Sequence, residues 1–280
     1  MSKADAIKTF RDLLSFLTVI PLAKTDEFVL TSARNMWLFP LIGGFIGVCG
    51  AEYFLGVGYI LNFLVGVVNS VVILPSELLV EILGSVMTLA FLLVFTGFQH
   101  FDGLVDLGNA IGIKRVEDRR EIAHRWIVTA KGAFLAIFVE LAAIAGLLGL
   151  SGNWNIAMRG IVVAEVAAKL AMVTVVWRGR AAHEGLGSRF ISCAKRKLNF
   201  VAYGSAIILG FILLGAVGAF AVLVSVFFGF FMIAVGNRLF GGVSGDIIGA
   251  TNEGSRAIIL VLIAALWISF SGLIWGGLGF

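Results

Sequence analysis

Uncharged apolar runs recur along the chain, separated by stretches in which charge, glycine and asparagine collect. A helix of about 20 apolar residues covers the ~30 Å hydrocarbon core of a bilayer. By that measure spans are expected at 35–61, 78–98, 132–150, 156–177, 200–218, 219–236 and 257–275. The fifth and sixth abut, so a tight hairpin near Gly215 and Gly218 has to join them. Upstream, 8–22 places apolar residues at helical spacing with basic residues opposite and then meets Pro21. Too short and too charged to span, it reads as a helix lying in the membrane interface. The uncharged stretch 62–76, with Asn62, Asn69, Ser70, Pro75 and Ser76, reads as an outer-face connection, and 99–131, 178–199 and 237–256 read as polar loops. The pattern predicts an all-α fold, a polytopic transmembrane helical bundle of about seven spans plus an N-terminal interfacial helix, in one integral membrane domain over 1–280.

Composition agrees and excludes a soluble domain: 60% of residues are hydrophobic, 14% are charged, and the mean hydropathy is +1.03. A net charge of +4 invites a nucleic-acid reading, but in such a chain basic residues mark cytoplasmic loops, and no nucleic-acid partner is expected. Of the 21 Lys and Arg residues, five precede the first span, six lie in 99–131, six in 178–199 and two in 237–256, so nineteen share one side. That side is expected to be cytoplasmic, in a multi-pass protein of the cell membrane. Cys49 and Cys193 form no disulfide framework. Asp5, Lys8, Arg11 and Asp12 interrupt the N-terminus, which therefore does not read as a cleavable signal.

The candidate chemistry centres on TGFQHFDGLVDLGNAIG at 96–112, which puts His100, Asp102 and Asp106 into a chain that otherwise avoids charge. On a helix Asp102 and Asp106 share a face, where two carboxylates repel unless a cation sits between them. A hard divalent cation of the Mg²⁺ type suits such a pair and keeps positions open for substrate phosphates. The other acidic, glycine-rich stretches, with Glu184, then Asp246 and Glu253, fall on the same face, so one composite site is expected. Gly103, Gly185, Gly187, Gly245 and Gly249 beside these acids permit close backbone approach to a phosphate. Within the spans, Glu52, Glu140, Arg159, Glu165 and Lys169 stand out, and Glu165 with Lys169 is spaced to pair on one helix.

The chain resembles the cobalamin synthase family, also called adenosylcobinamide-GDP ribazoletransferases. The resemblance rests on LSFLTVIPL at 14–22, FPLIGGFIG at 39–47, TGFQHFDGLVDLGNA at 96–110, HEGLGSRF at 183–190 and GDIIGATNE at 245–253, in order and with matching spacing. It implies a Mg²⁺-dependent transfer in which the 5′ oxygen of α-ribazole, or of its phosphate, attacks the phosphate on cobinamide in adenosylcobinamide-GDP and GMP leaves. Carried onto the motifs, it implies Asp102, Asp106 and Asp246 as metal ligands, with His100, Asp102 and Asp106 catalytic, His100 serving as base or phosphate contact. Gln99, Gly103, Glu184, Gly185, Asn252 and Glu253 are the implied substrate contacts. Arg115, Arg119 and Arg120 either screen phosphates or form a solvated face. The chain departs from the family pattern at TVIP (18–21), which lacks an arginine, and at 124–126, where His124, Arg125 and Trp126 replace a basic-Asp-Ser element. It departs again at Asn109, which replaces an aspartate and whose amide oxygen can still coordinate. A homo-oligomer and contact with other cobalamin-assembly enzymes stay open. The alternatives are another Mg²⁺-dependent membrane phosphotransferase of the CDP-alcohol type, or a small-molecule transporter.

Overall fold

The computed structural model describes residues 3–23, 27–73, 75–123, 127–194 and 197–269. Its elements are α1 (Lys3–Leu17), α2 (Phe28–Arg34), α3 (Phe39–Asn69), α4 (Ser76–Phe95), α5 (Gln99–Ala110), α6 (Val116–Ala123), α7 (Ala130–Ser151), α8 (Trp154–Arg178), α9 (Leu186–Cys193), α10 (Asn199–Phe240) and α11 (Gly245–Ser269). The protein is an all-α, multi-pass membrane bundle, and six of these helices (α4, α7, α8, α10, α11 and α3 with the turn before it) are long and apolar enough to cross a bilayer.

α10 supplies two legs. At 42 residues a straight helix would run about 63 Å, twice what the membrane needs. Leu214 and Gly215 leave helical geometry, Gly215 at φ 60°, which an L side chain resists. Beyond them the chain folds back, so that a Cβ on Gly210 would meet the Val222 side chain at 3.0 Å. Both ends of α10 consequently reach one end of α8: Trp177 packs on Phe200 and Tyr203, and Arg180 donates to Asn237. This is the expected hairpin, and it gives the bundle seven apolar legs.

α8 is the central helix, buried along nearly its whole length. α3 lies tightly on it because Gly43 and Gly47 carry no side chains: a Cβ at either would fall 2.6 Å from α8, at the Glu165 carbonyl oxygen and at Val162. Such small-residue contacts let membrane helices approach closely. The short helices gather at one end of the bundle. There α1 buries Leu13, Leu14 and Leu17 and exposes Ile7 and Phe10, as an interfacial helix should. The ring of Phe16 in α1 stacks on Phe190 of α9.

Two expectations change. The stretch 62–69 belongs to α3, because apolar residues continue with no proline before Pro75. The polar stretch 245–256 is no loop but the first three turns of α11, and 99–110 is likewise helical. Of the charges within spans, Glu52 faces out of the bundle, whereas Glu165 and Lys169 are fully buried and paired at 3.0 Å.

Candidate active site

The site begins at a reversal. Gly97 and Phe98 both take left-handed backbone conformations, φ 66° and 57°, which end α4 and turn the chain back as α5. α5 is then wedged against two neighbours at glycines. A Cβ on Gly103 would fall 2.7 Å from the Asp246 backbone oxygen, one on Gly249 3.1 Å from the His100 oxygen, and one on Gly108 2.7 Å from the Gly132 Cα of α7. The contacts at Gly103 and Gly108 are closer than a β-carbon tolerates and the one at Gly249 is tight, so glycine is what lets α5 seat between α11 and α7.

This seating brings Asp246 to the face of α5 that carries Asp102 and Asp106. Burial, then the charges of Asp246 and Asp102, push the Asp106 carboxyl up to about 7, while Asn109 pulls it the other way. Burial also raises Asp102. Ser244 donates to Asp246 at 3.1 Å and fixes that carboxylate at the start of α11. Among the described residues no three His, Cys, Asp or Glu side chains close into a metal-sized cluster, so the three acids share a neighbourhood without forming a finished ligand shell.

His100 and Gln99 line a cleft of about 80 Å³ with Phe16, Phe39, Met172, Phe190 and Gly245, the last being the chain neighbour of Asp246. His100 is 6% exposed. Burial, followed by the charges of Lys169 and Arg256, lowers its pKa well below the ordinary histidine value, so the imidazole is neutral at physiological pH. The HEGLGSRF stretch arrives at the same place: Ala182 donates to the Val243 oxygen at 3.0 Å, Val243 donates to the Arg180 oxygen at 2.7 Å, and Gly187 rests on Ser244 and Gly245. Glu184 and Gly185 sit exposed in the turn before α9.

The remaining candidates have other partners. Asn109 is not available as a metal ligand: its amide oxygen accepts from the Thr129 backbone and hydroxyl, at 3.0 and 2.8 Å, and its nitrogen donates to the Ile127 oxygen. It ties the end of α5 to the start of α7. Arg119 and Arg120 are half-buried against the end of α10. They donate to the carbonyls of Arg238, Leu239 and Phe240 and so cap the C-terminus of α10, where positive charge is favoured. Arg115 stays at the surface beside Glu117. His124, Arg125 and Trp126 lie outside the described residues.

Asn252 and Glu253, expected as substrate contacts in a loop, are fully buried in α11 and belong to a closed ring of hydrogen bonds. Glu165 accepts from Lys169 at 3.0 Å, Lys169 donates to Asn252 at 2.7 Å, and Asn252 donates to Glu253 at 3.0 Å. Arg256 closes the ring by donating to Glu253 and to Glu165. Two carboxylates face two cations, the pairing that buried charge requires. Sequence reasoning found only the Glu165–Lys169 pair. The missed signal was the proline-free run from Gly245 into the last span, which lets 245–256 be helix interior.

Comparison with known proteins identifies the family. A family model described as cobalamin-5-phosphate synthase matches residues 9–264. A protein of Methanocella arvoryzae named adenosylcobinamide-GDP ribazoletransferase is 28% identical over 95% of this chain and 99% of its own length. Relatives of the same name from Halorubrum lacusprofundi and Haloquadratum walsbyi are 29% and 31% identical, each over 94% of this chain and 99% of their own. No solved structure matches. Since the matched residues run from α1 into α11 and include every segment that meets at the cleft, the chain belongs to the cobalamin-5-phosphate synthase family.

Proposed function

We propose that this protein joins α-ribazole, or its 5′-phosphate, to adenosylcobinamide-GDP with release of GMP, at a site on the cytoplasmic face of the cell membrane. The observation that carries the reading is the convergence of the starts of α5 and α11, which sets the charges of Asp102 and Asp246 on Asp106 and lines the cleft with Gln99, His100 and Gly245. Two carboxylates whose charges raise the proton affinity of a third make a donor set of the right chemistry for a hard divalent cation. Mg²⁺ held by these acids would neutralise the pyrophosphate charge as GMP departs. Neutral His100 is suited to take the proton of the attacking 5′ oxygen, and Gln99 to orient a phosphate at the cleft. Gly103 keeps the α5 backbone close to Asp246, and Glu184 with Gly185 presents polar groups at the rim. The clustering of Lys and Arg at this end of the bundle supports the cytoplasmic orientation.

The test is turnover by purified protein in detergent or liposomes, supplied with adenosylcobinamide-GDP and α-ribazole, with and without Mg²⁺, beside Asp102→Asn. Metal-dependent GMP release that collapses in the variant is expected. Folded protein that releases no GMP from any cobinamide nucleotide, but turns over CDP-alcohols, would replace this reading with the phosphotransferase one.

A further inference from the structure

The ring of Glu165, Lys169, Asn252, Glu253 and Arg256 contains no residue of α5, yet one of its carboxylates faces the candidate base. Glu253 Oε1 lies 3.9 Å from His100 Nδ1, and both groups are buried, at 1% and 7% exposure. Nδ1 has no hydrogen-bond partner within the described residues. A buried imidazole N–H left unbonded costs about 1–3 kcal/mol, so a neighbouring acceptor matters. Lys169, Arg256 and Glu165 act on His100 through their charges, and the Glu253 carboxylate stands 3.9 Å from its Nδ1. Lys169 and Arg256 can only donate, so neither serves Nδ1–H.

We propose that Glu253 is a positioning residue of the transfer, which selects the Nδ1-protonated tautomer of His100 and leaves Nε2 with its lone pair. The proposal deepens the reading of His100 as the base and rests on it. A carboxylate accepts and does not donate, so an imidazole turned to Glu253 must present Nδ1–H. The pair stands about 1 Å beyond hydrogen-bond distance, so the bond forms only when the imidazole turns towards Glu253. Glu253 itself cannot swing away. Arg256 holds one of its oxygens and Asn252 the other, and both are tied on to Lys169 and Glu165 of the central helix α8. The ring thereby anchors the orientation of a residue on α5 to the most buried helix of the bundle. This is the arrangement in which a carboxylate behind a histidine fixes its tautomer for the group in front.

The chain contains three histidines, so nitrogen NMR of full-length, ¹⁵N-histidine-labelled protein in nanodiscs resolves them, and His100→Gln assigns the signal. The expected result is a neutral His100 protonated at Nδ1 in the unaltered protein, with the Nε2-protonated form gaining population in Glu253→Gln. In turnover, Glu253→Gln is expected to lower kcat about 10–100-fold with KM for both substrates within about twofold. It should add no further loss in the His100→Gln background. An Nε2-protonated His100 in the unaltered protein, or losses that multiply in the double variant, overturns the proposal. If Glu253→Gln does not fold, the tautomer of the unaltered protein decides alone. Because that measurement needs no substrate, an inactive enzyme would sink the proposed reaction while the tautomer result still tests Glu253.

Discussion

A β-carbon placed on Gly103 would sit 2.7 Å from the backbone oxygen of Asp246. No side chain can move aside to relieve this, because the opposing atom is main chain. Gly103→Ala must therefore push α5 away from α11 and separate Asp246 from Asp102 and Asp106. The overpacking is expected to cost about 1–3 kcal/mol and transfer activity is expected to fall at least about tenfold. Gly204 is a matched control, with nothing within 4 Å of its added Cβ. Equal activity in Gly103→Ala and Gly204→Ala would show that the spacing of α5 and α11 is irrelevant to catalysis.

Asp106 gives a pH dependence. Its pKa rises to about 7 on folding, so between the ordinary carboxylate range and about pH 7 the native state keeps a proton that the unfolded chain has lost. Native stability accordingly falls as pH rises through that window and levels above it. Thermal unfolding of metal-free protein is expected to show this decline, and Asp106→Asn to flatten it. Mg²⁺ competes with the same proton, so the acid limb of the activity profile should move to lower pH as Mg²⁺ is raised. An acid limb unmoved by Mg²⁺ would remove Asp106 from the proposed metal site.

Asn109 stands where the family resemblance implies an aspartate. Here the amide uses both ends, accepting from Thr129 and donating to Ile127. An aspartate keeps the acceptor, loses the donor and adds charge beside Asp106, which already feels two other carboxylates. Asn109→Asp is expected to cost about 1–2 kcal/mol and not to raise activity. A gain in Mg²⁺ affinity or turnover would mean that this position can become a ligand after all.

The legs of the bundle were readable because a bilayer demands about 20 apolar residues and little else satisfies that demand. The reversal at Gly215 was readable for the same reason, since the run around it is too long for one crossing. Asp102 and Asp106 share a face by helical spacing alone. That Asp246 would join them was expected from the shared face of the polar stretches, but how closely was not readable, because that depends on Gly103 and Gly249 letting two helices touch, and sequence gives no distance between helices. Asn252, Glu253 and Arg256 misled for a related reason. Polar residues look like loop until their partners are known, and these partners, Glu165 and Lys169, lie more than 80 positions away.

Arg256 carries the last prediction. It is 1% exposed, bonds to both Glu165 and Glu253, and lies within electrostatic reach of Glu140 on α7. Replacing it with methionine keeps the volume and removes the only guanidinium between α8 and α11 in the ring. Lys169 is then the one cation of the ring for the buried carboxylates Glu165 and Glu253, with half-buried Glu140 close to the place Arg256 has left, and at least one carboxylate is left without a cation. Breaking a buried pair by removing one partner costs about 3–5 kcal/mol, more than its retention is worth. Arg256→Met is therefore expected to unfold in detergent at much lower temperature or to fail to accumulate. Arg256→Met combined with Glu253→Gln removes one charge of each sign, leaves Lys169 paired with Glu165, and should recover part of the lost stability. No recovery in the double variant would mean that Arg256 stabilises the bundle through its packing and not through the charge it balances.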